Sequence, residues 1–224
     1  MSTMMWTKIV GMLKASHFGP TVLVVSISFV LSATQMPLHD SFFVALAIFL
    51  GQLVVGWTND LIDFPLDKAA MRLNKPLVAE TITTTNLKIG ITVALASALF
   101  VSLLSPLGVS GSAIHFLGLL SATAYNVKLK STPFSVVPYI MSFAALPWAI
   151  YLAAGTRPPH WIVIGFILFA SAFHFLNVLK DMESDVSQDV MGLPQIIGRK
   201  TSIAVAVLLA VLGIADILIA VSGI

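Results

Sequence analysis

Seven predominantly apolar runs dominate this sequence, roughly Phe18 to Thr34, Phe42 to Trp57, Leu87 to Leu104, Ser110 to Asn126, Phe134 to Ala154, Trp161 to Val178 and Ile203 to Val221. Each approaches the length of about 20 residues that a helix needs to cross a hydrocarbon core. Hydrophobic residues make up 58% of the chain, charged residues only 10%, and the mean hydropathy is +0.97. A soluble core of this size could not hide that much non-polar surface. The expected fold is therefore all-α, a polytopic membrane bundle of about seven transmembrane helices. Gly and Pro inside several runs do not oppose this, because membrane helices tolerate both. The first run follows Lys8 and Lys14 in the manner of a signal peptide, yet it lacks a small-residue cleavage site and a second apolar run follows at once. It reads as a retained anchor.

The basic residues test the helix count. With alternating helices and a cytoplasmic N-terminus, Lys8, Lys14, Lys68, Arg72, Lys75, Lys88, Lys128, Lys130, Lys180, Arg199 and Lys200 fall on the inner side, and of the 12 Lys and Arg residues only Arg157 falls outside. That asymmetry is what the positive-inside rule expects, and a miscounted helix would scramble it. The expected location is an integral protein of the cell inner (plasma) membrane, with Ile224 on the far side. The pI near 9.0 does not point to nucleic acid, because the positive charges are dispersed among apolar runs with no basic tract. Anionic membrane lipid or phosphate is the better partner. There is no cysteine, which excludes disulfides, thiolate catalysis and Cys-ligated zinc or iron–sulfur centres.

Acids are scarce and unevenly placed. Of the 10 Asp and Glu residues, Asp60, Asp63 and Asp67 form one group, and Asp181, Glu183, Asp185 and Asp189 form another. Both groups directly follow a long apolar run, where a carboxylate must be solvated, paired or bound to a cation. Asn59, Asp63 and Asp67 are spaced by four, and so are Asn177, Asp181, Asp185 and Asp189. On a helix, i and i+4 share a face, so Asn59 can converge with Asp63, and Asn177 with Asp181 and Asp185. Pro65 lacks an N–H and disfavours helix at Phe64, which places Asp67 in a new turn. Asp189 drifts around the helix near Gly192 and Pro194.

Gathered carboxylates repel one another unless cations intervene. Hard oxygen ligands without Cys or clustered His favour Mg²⁺, which keeps several waters and commonly joins one or two carboxylates to a substrate phosphate. Arg72 and Lys75, Lys128 and Lys130, and Arg199 and Lys200 stand on the same side, where they could neutralise phosphate oxygens. As topology determinants, Lys75, Lys128, Arg199 and Lys200 need no further role. Inner-loop acids could likewise simply pair with these neighbours.

The segment from Gly56 to Ala79, GWTNDLIDFPLDKAAMRLNKPLVA, resembles the NDxxDxxxD signature and following Arg and Lys-Pro-Leu loop of UbiA-type intramembrane prenyltransferases. NVLKDMESDVSQDVMGLPQIIG, from Asn177 to Gly198, is similar to that family's second DxxxD region with its trailing Gly-Leu-Pro. Between them, AYNVKLKSTPFSVVPY from Ala124 to Tyr139 is similar to the family's Tyr and Lys loop, with Lys130 rather than Lys128 at the matching position. The three motifs stand in the family's order. The resemblance implies helices around a central cavity, capped on the cytoplasmic side by the Asp-bearing loops. It implies Mg²⁺ at Asn59, Asp63, Asp181 and Asp185, with Asp67 and Asn177 as further candidate ligands. Asp63, Asp181 and Asp185, together with Lys130 and Arg72, would carry the catalysis. Lys75, Lys128, Tyr125, Asn126 and His174 complete the expected substrate site.

The activity so implied is transfer of a prenyl group from an isoprenyl diphosphate to a lipophilic, often aromatic, acceptor. Metal ions and basic side chains would stabilise the departing diphosphate, and an apolar cavity would shield the allylic carbocation from water. Phosphoribosyl transfer to a polyprenyl phosphate shares the architecture and stands as an alternative. Relatives usually have nine membrane helices, whereas one apolar run follows the second motif here. Residues 1–224 thus read as one UbiA-like domain short of its last two helices, as a truncated non-catalytic relative, or as a chain that completes its bundle in a homo-oligomer. A transporter would place its charges nearer the midplane, in repeat-related broken helices. His174 precedes Asn177 by three and points into the bundle as a site residue or as a neutral structural His. Asp60 is expected to orient its loop through Arg72. Asp216 has no evident partner.

Overall fold

Leu38–Ala69 is the longest helix in the molecule, at 32 residues, and it carries the whole of the first acidic motif. The structure is a computed structural model that describes residues 2–223; Ile224 lies outside them. The helices in order are α1 (Ser2–Ala15), α2 (Phe18–Ala33), α3 (Leu38–Ala69), α4 (Thr84–Leu104), α5 (Gly108–Val127), α6 (Val137–Ala153), α7 (His160–Val178), α8 (Met182–Ser187), α9 (Leu193–Ile197) and α10 (Arg199–Ser222), with a 3-10 turn at Leu129–Ser131. No strand occurs among the described residues. The seven apolar runs fall on α2 to α7 and α10, so the all-α expectation holds.

Four helices, α3, α4, α7 and α10, are long and apolar enough to cross a bilayer individually. Met4–Ala15 and Phe18–Ala33 pass only together and are bent by 66°, which makes up to five. α6 is apolar but has 17 residues, and α5 is diluted by Ser, Gly, His and Thr. The seven helical runs are therefore not equal in length or hydropathy.

Two compact units make up the chain, Met1–Ser112 and Ala113–Ile224. In the first, α3 packs against both α2 and α4. The bend between α1 and α2 falls at His17, whose backbone is left-handed with φ 53°, and Pro20 follows in the first turn of α2. α3 comes so close to this bend that a Cβ at Gly56 would run into the Ser16 carbonyl. A small core of Ala15, Leu77, Ile82 and Leu87, with Met12, Trp57, Leu61 and Phe64 around it, joins α1 to α3 and to the segment before α4. That segment ends in a capping box: Thr83 Oγ1 accepts the Asn86 N–H at 3.1 Å and Asn86 Oδ1 accepts the Thr83 N–H at 3.0 Å.

In the second unit α7 packs against both α6 and α10. Ala172, Phe175 and Ala206 form its core cluster, backed by Val136, Leu193, Ile197, Val205, Leu209 and Ala210. Gly213 lets α10 approach α7 closely, since a Cβ there would meet the Phe169 ring at 3.0 Å. The short helices α8 and α9 sit between these two long ones in sequence and carry the end of the second acidic motif.

Candidate functional site

The first motif lies on an unbroken helix. α3 continues through Pro65 to Ala69, contrary to the break expected there, and places Asn59, Asp63 and Asp67 on one element. Pro65 removes one backbone hydrogen bond to Leu61. The turn beyond it is held by the Ala70 N–H on the Leu66 carbonyl at 2.9 Å and by charge pairs on Asp67. Asn59 Nδ2 donates to Asp63 Oδ2 at 2.9 Å, which realises the predicted convergence at i and i+4.

Burial then separates the three aspartates. Asp63 is half-buried, as is Asn59, whereas Asp60 and Asp67 are buried. Asp60 Oδ1 accepts from Lys75 Nζ at 2.7 Å and pairs with His17 Nε2 at 3.0 Å. Arg72 Nη1 donates to Asp67 Oδ1 at 3.1 Å, and Lys75 Nζ lies 3.9 Å from Asp67 Oδ2. Asp60 therefore works through Lys75 and His17, not through Arg72 as the sequence suggested. The reason is reach: the turn after α3 brings Arg72 back over Asp67, one helical turn or more beyond Asp60. In this arrangement Asp67 and Lys75, both candidate site residues, are bound to neighbours within the motif.

The second motif is built differently. A continuous stripe from Asn177 to Asp185 does not form, because α7 ends at Val178 and α8 begins at Met182. Asp181, at φ −108° and ψ 1°, lies between them, and its N–H closes a short turn on the Val178 carbonyl at 3.1 Å. Arg199 Nη1 takes the Leu179 carbonyl at 2.9 Å, a bond that a continuing helix would have made internally. The Asp185 N–H still bonds to the Asp181 carbonyl at 2.8 Å, so these two remain one turn apart. Asn177, Asp181 and Asp185 are all half-buried. Asp189 stands at φ 59° in the turn after α8, off any stripe.

Neutral groups take part in holding this second set. Gln195 Nε2 on α9 donates to Asp185 Oδ2 at 2.8 Å. The Tyr139 hydroxyl hydrogen-bonds with the side chains of Asn177 and Tyr125. His174, fully buried, pairs through Nε2 with Ser135 Oγ at 3.1 Å. Its ring centroid lies 4.6 Å from that of Tyr139 and 5.8 Å from that of Tyr125. His174 and Tyr125 thus both meet Tyr139, which bonds in turn to Asn177. Asn126 is buried at the end of α5, Lys128 is exposed beyond it, and Lys130 is half-buried in the 3-10 turn.

Four residues here escaped the reading of the sequence: His17, Ser135, Tyr139 and Gln195. His17 is 43 positions from Asp60, and nothing local announces the pair. Ser135, Tyr139 and Gln195 do sit inside the quoted motif segments, and an amide next to Pro194 and close to Gly192 was the available signal. No three His, Cys, Asp or Glu side chains among the described residues form one cluster able to hold a metal ion. Each motif instead presents Asn and Asp oxygens in small number, the donor set of Mg²⁺, whose remaining positions go to water and phosphate.

All-helical, with helices long and apolar enough to cross a bilayer and two Asn/Asp sets of hard oxygen donors at their ends, the chain is of the polytopic helical membrane-protein class. Residues 19–224 match the UbiA prenyltransferase family, and the chain belongs to it. No curated protein matches the chain. Among solved structures, a UbiA homolog from Archaeoglobus fulgidus bound to GPP and Mg²⁺ is similar at TM-score 0.76 and 14% identity, covering 92% of this chain and 76% of that one. The structure of a UbiA homolog from the same organism bound to DMAPP and Mg²⁺ gives TM-score 0.69 and 15% identity, with 92% and 75% covered. At that identity the likeness is one of fold.

Proposed function

We propose that this chain catalyses Mg²⁺-dependent transfer of a prenyl group from an isoprenyl diphosphate to a lipophilic, often aromatic, acceptor. The observation that carries the reading is the sorting of acids in the motifs. Asp60 and Asp67 are buried against His17, Lys75 and Arg72, while Asn59, Asp63, Asn177, Asp181 and Asp185 are half-buried oxygen donors. Carboxylates and amides gathered at the ends of apolar helices in this way are the hard oxygen donors that a hydrated divalent cation takes. The A. fulgidus UbiA homologs, whose fold this chain shares, are bound to GPP or DMAPP and Mg²⁺, which supports an isoprenyl diphosphate and Mg²⁺ as the ligands.

In this reading Asn59 and Asp63 of the first motif, and Asn177, Asp181 and Asp185 of the second, are the oxygen donors for Mg²⁺ and diphosphate. Mg²⁺, when bound, would draw charge from the diphosphate as its bond to the allylic carbon weakens. Lys130 and Arg72 neutralise diphosphate oxygens. Lys75 and Asp67 hold the first motif in shape, and Tyr125 and His174 brace the second. The apolar helices exclude water from the allylic cation until the acceptor attacks. We take residues 1–224 as one functional domain of an integral protein of the cell inner membrane, with both motifs on the cytoplasmic side as the basic residues suggest.

Purified protein incubated with isoprenyl diphosphates of several lengths and aromatic acceptors should release diphosphate and form a prenylated product only with Mg²⁺. Asp63→Asn and Asp181→Asn should each lower turnover by roughly 100-fold or more. Turnover that ignores Mg²⁺, or that both variants retain, would exclude the assignment.

A further inference from the structure

Asp185 sits on a helix of six residues, α8, between two irregular turns. So short an element has little stability of its own. A ligand carried there needs support from outside, and the contacts of α9 supply it. Gln195 is buried, with its Nε2 on Asp185 Oδ2 at 2.8 Å. The amide orientation follows from chemistry, since turning it over would set Oε1 against a carboxylate oxygen. Oε1 itself is buried and meets no hydrogen-bond donor among the described residues. A buried amide that leaves its oxygen unsatisfied is costly unless its N–H₂ serves a specific purpose.

The platform under Gln195 is well fixed. The Leu193 N–H donates to Ser135 Oγ at 3.0 Å, and the same oxygen meets His174 Nε2 at 3.1 Å. Ser202 Oγ donates to the Pro194 carbonyl at 3.1 Å, tying α9 to the start of α10. Gly192 lies where a Cβ would stand 2.5 Å from the Lys130 carbonyl and 2.9 Å from Gln195 Oε1. The backbone of the Lys130 turn, the buried His174 and the amide on Asp185 are therefore joined through one short segment.

We propose that Gln195 is a positioning residue that orients Asp185 for the metal–diphosphate unit and, through Gly192 and Ser135, keeps Asp185 in register with the Lys130 turn. The inference rests on the proposed function and adds to it a residue beyond the Asn and Asp positions of the acidic motifs. A hydrogen bond from the amide fixes which lobe of the carboxylate faces the metal, the role that outer partners of ligating carboxylates generally play.

Electron paramagnetic resonance titration of the full chain in detergent with Mn²⁺ and inorganic diphosphate tests it. Wild type should bind Mn²⁺, and Asp181→Asn should weaken that binding. Gln195→Leu should raise the apparent dissociation constant roughly 10-fold, with product formation at low Mg²⁺ reduced and restored by excess Mg²⁺. In an Asp185→Asn background the same change should shift it by less than about twofold, as coupled residues do. If Gln195→Leu does not fold, Gln195→Asn carries the same expectation, because its amide ends one methylene short. Wild-type Mn²⁺ affinity in the Gln195 variant, or an equal loss in the Asp185→Asn background, overturns the role of Gln195 while the proposed function stands. Absence of Mn²⁺ binding by the wild type overturns both.

Discussion

The two acidic motifs have nearly the same spelling and are held by different sets of partners. Around Asn59 and Asp63 the support is ionic: Asp60 and Asp67 take up Lys75, Arg72 and His17. Around Asn177 and Asp185 a neutral network takes part as well: Tyr139, Ser135, His174 and Gln195 supply hydroxyl, imidazole and amide partners. The helix explains the difference. α3 runs unbroken through its motif, so its inward-facing acids are carried into the protein and need counter-charges. α7 stops at Val178, so the second motif is spread over turns whose backbone groups and ligands need hydrogen-bond partners instead. A repeated sequence spacing thus marks repeated donors, not a repeated structure.

The largest effect should come from removing the central charge of the ionic region. Asp60→Ala leaves Lys75 and His17 without their shared partner, and breaking such a buried pair costs about 3 kcal/mol. Thermal unfolding in detergent should show it. Asp60→Leu with Lys75→Met should recover most of the loss, because no uncompensated charge then remains. A single Asp60→Ala variant as stable as wild type would mean that the ionic support is idle. The next effect is steric and falls on both regions. Gly56→Ala drives a Cβ into the Ser16 backbone, and Gly192→Ala drives one toward the Lys130 carbonyl, so neither obstacle is the movable end of a side chain. Each should cost about 2 kcal/mol. Only Gly192→Ala should also weaken Mn²⁺ binding, because only it disturbs Gln195; equal metal affinities in the two variants would dissolve that distinction. Ser135→Ala, on the neutral side, removes one hydroxyl from Leu193 and His174 and should cost about 1–2 kcal/mol. A loss below about 0.5 kcal/mol would show that the neutral network is redundant.

The all-α membrane class was legible because composition alone demanded it, and the seven runs all became helices. The pair of Asn59 and Asp63 was legible too, since helical spacing is a local property. What could not be read were the partners contributed from far along the chain. His17 reaches Asp60 only because α1 and α2 bend at a left-handed residue and Gly56 lets α3 approach. Gln195 reaches Asp185 only because α9 is anchored on Ser135, which lies in another loop. The two local errors have local causes. Pro65 does not break α3, since tertiary contacts on Asp67 hold the helix beyond it, and although the apolar run ends at Val178, no Gly or Pro there signals that the helical spacing stops before Asp181 and Asp185.

Pro65 gives the smallest effect. Its ring removes one hydrogen bond from α3 and crowds the carbonyl of Leu61, so alanine there would restore a bond and relieve strain. Against this, alanine frees the unfolded chain that proline had restricted, a loss of about 0.4–1 kcal/mol. The two terms oppose each other, and the net change in stability should stay within about 1 kcal/mol of zero. The more informative readout is Mn²⁺ affinity with inorganic diphosphate. If the proline only perturbs the helix locally, Pro65→Ala leaves that affinity unchanged. If instead the proline turns Asp67 toward Arg72 and away from the Asn59 and Asp63 face, a straightened α3 aligns all three side chains and tightens Mn²⁺ binding. Because Asp67 is buried against Arg72 and Lys75, the unchanged affinity is the expected result, and tightening would return Asp67 to the ligand set.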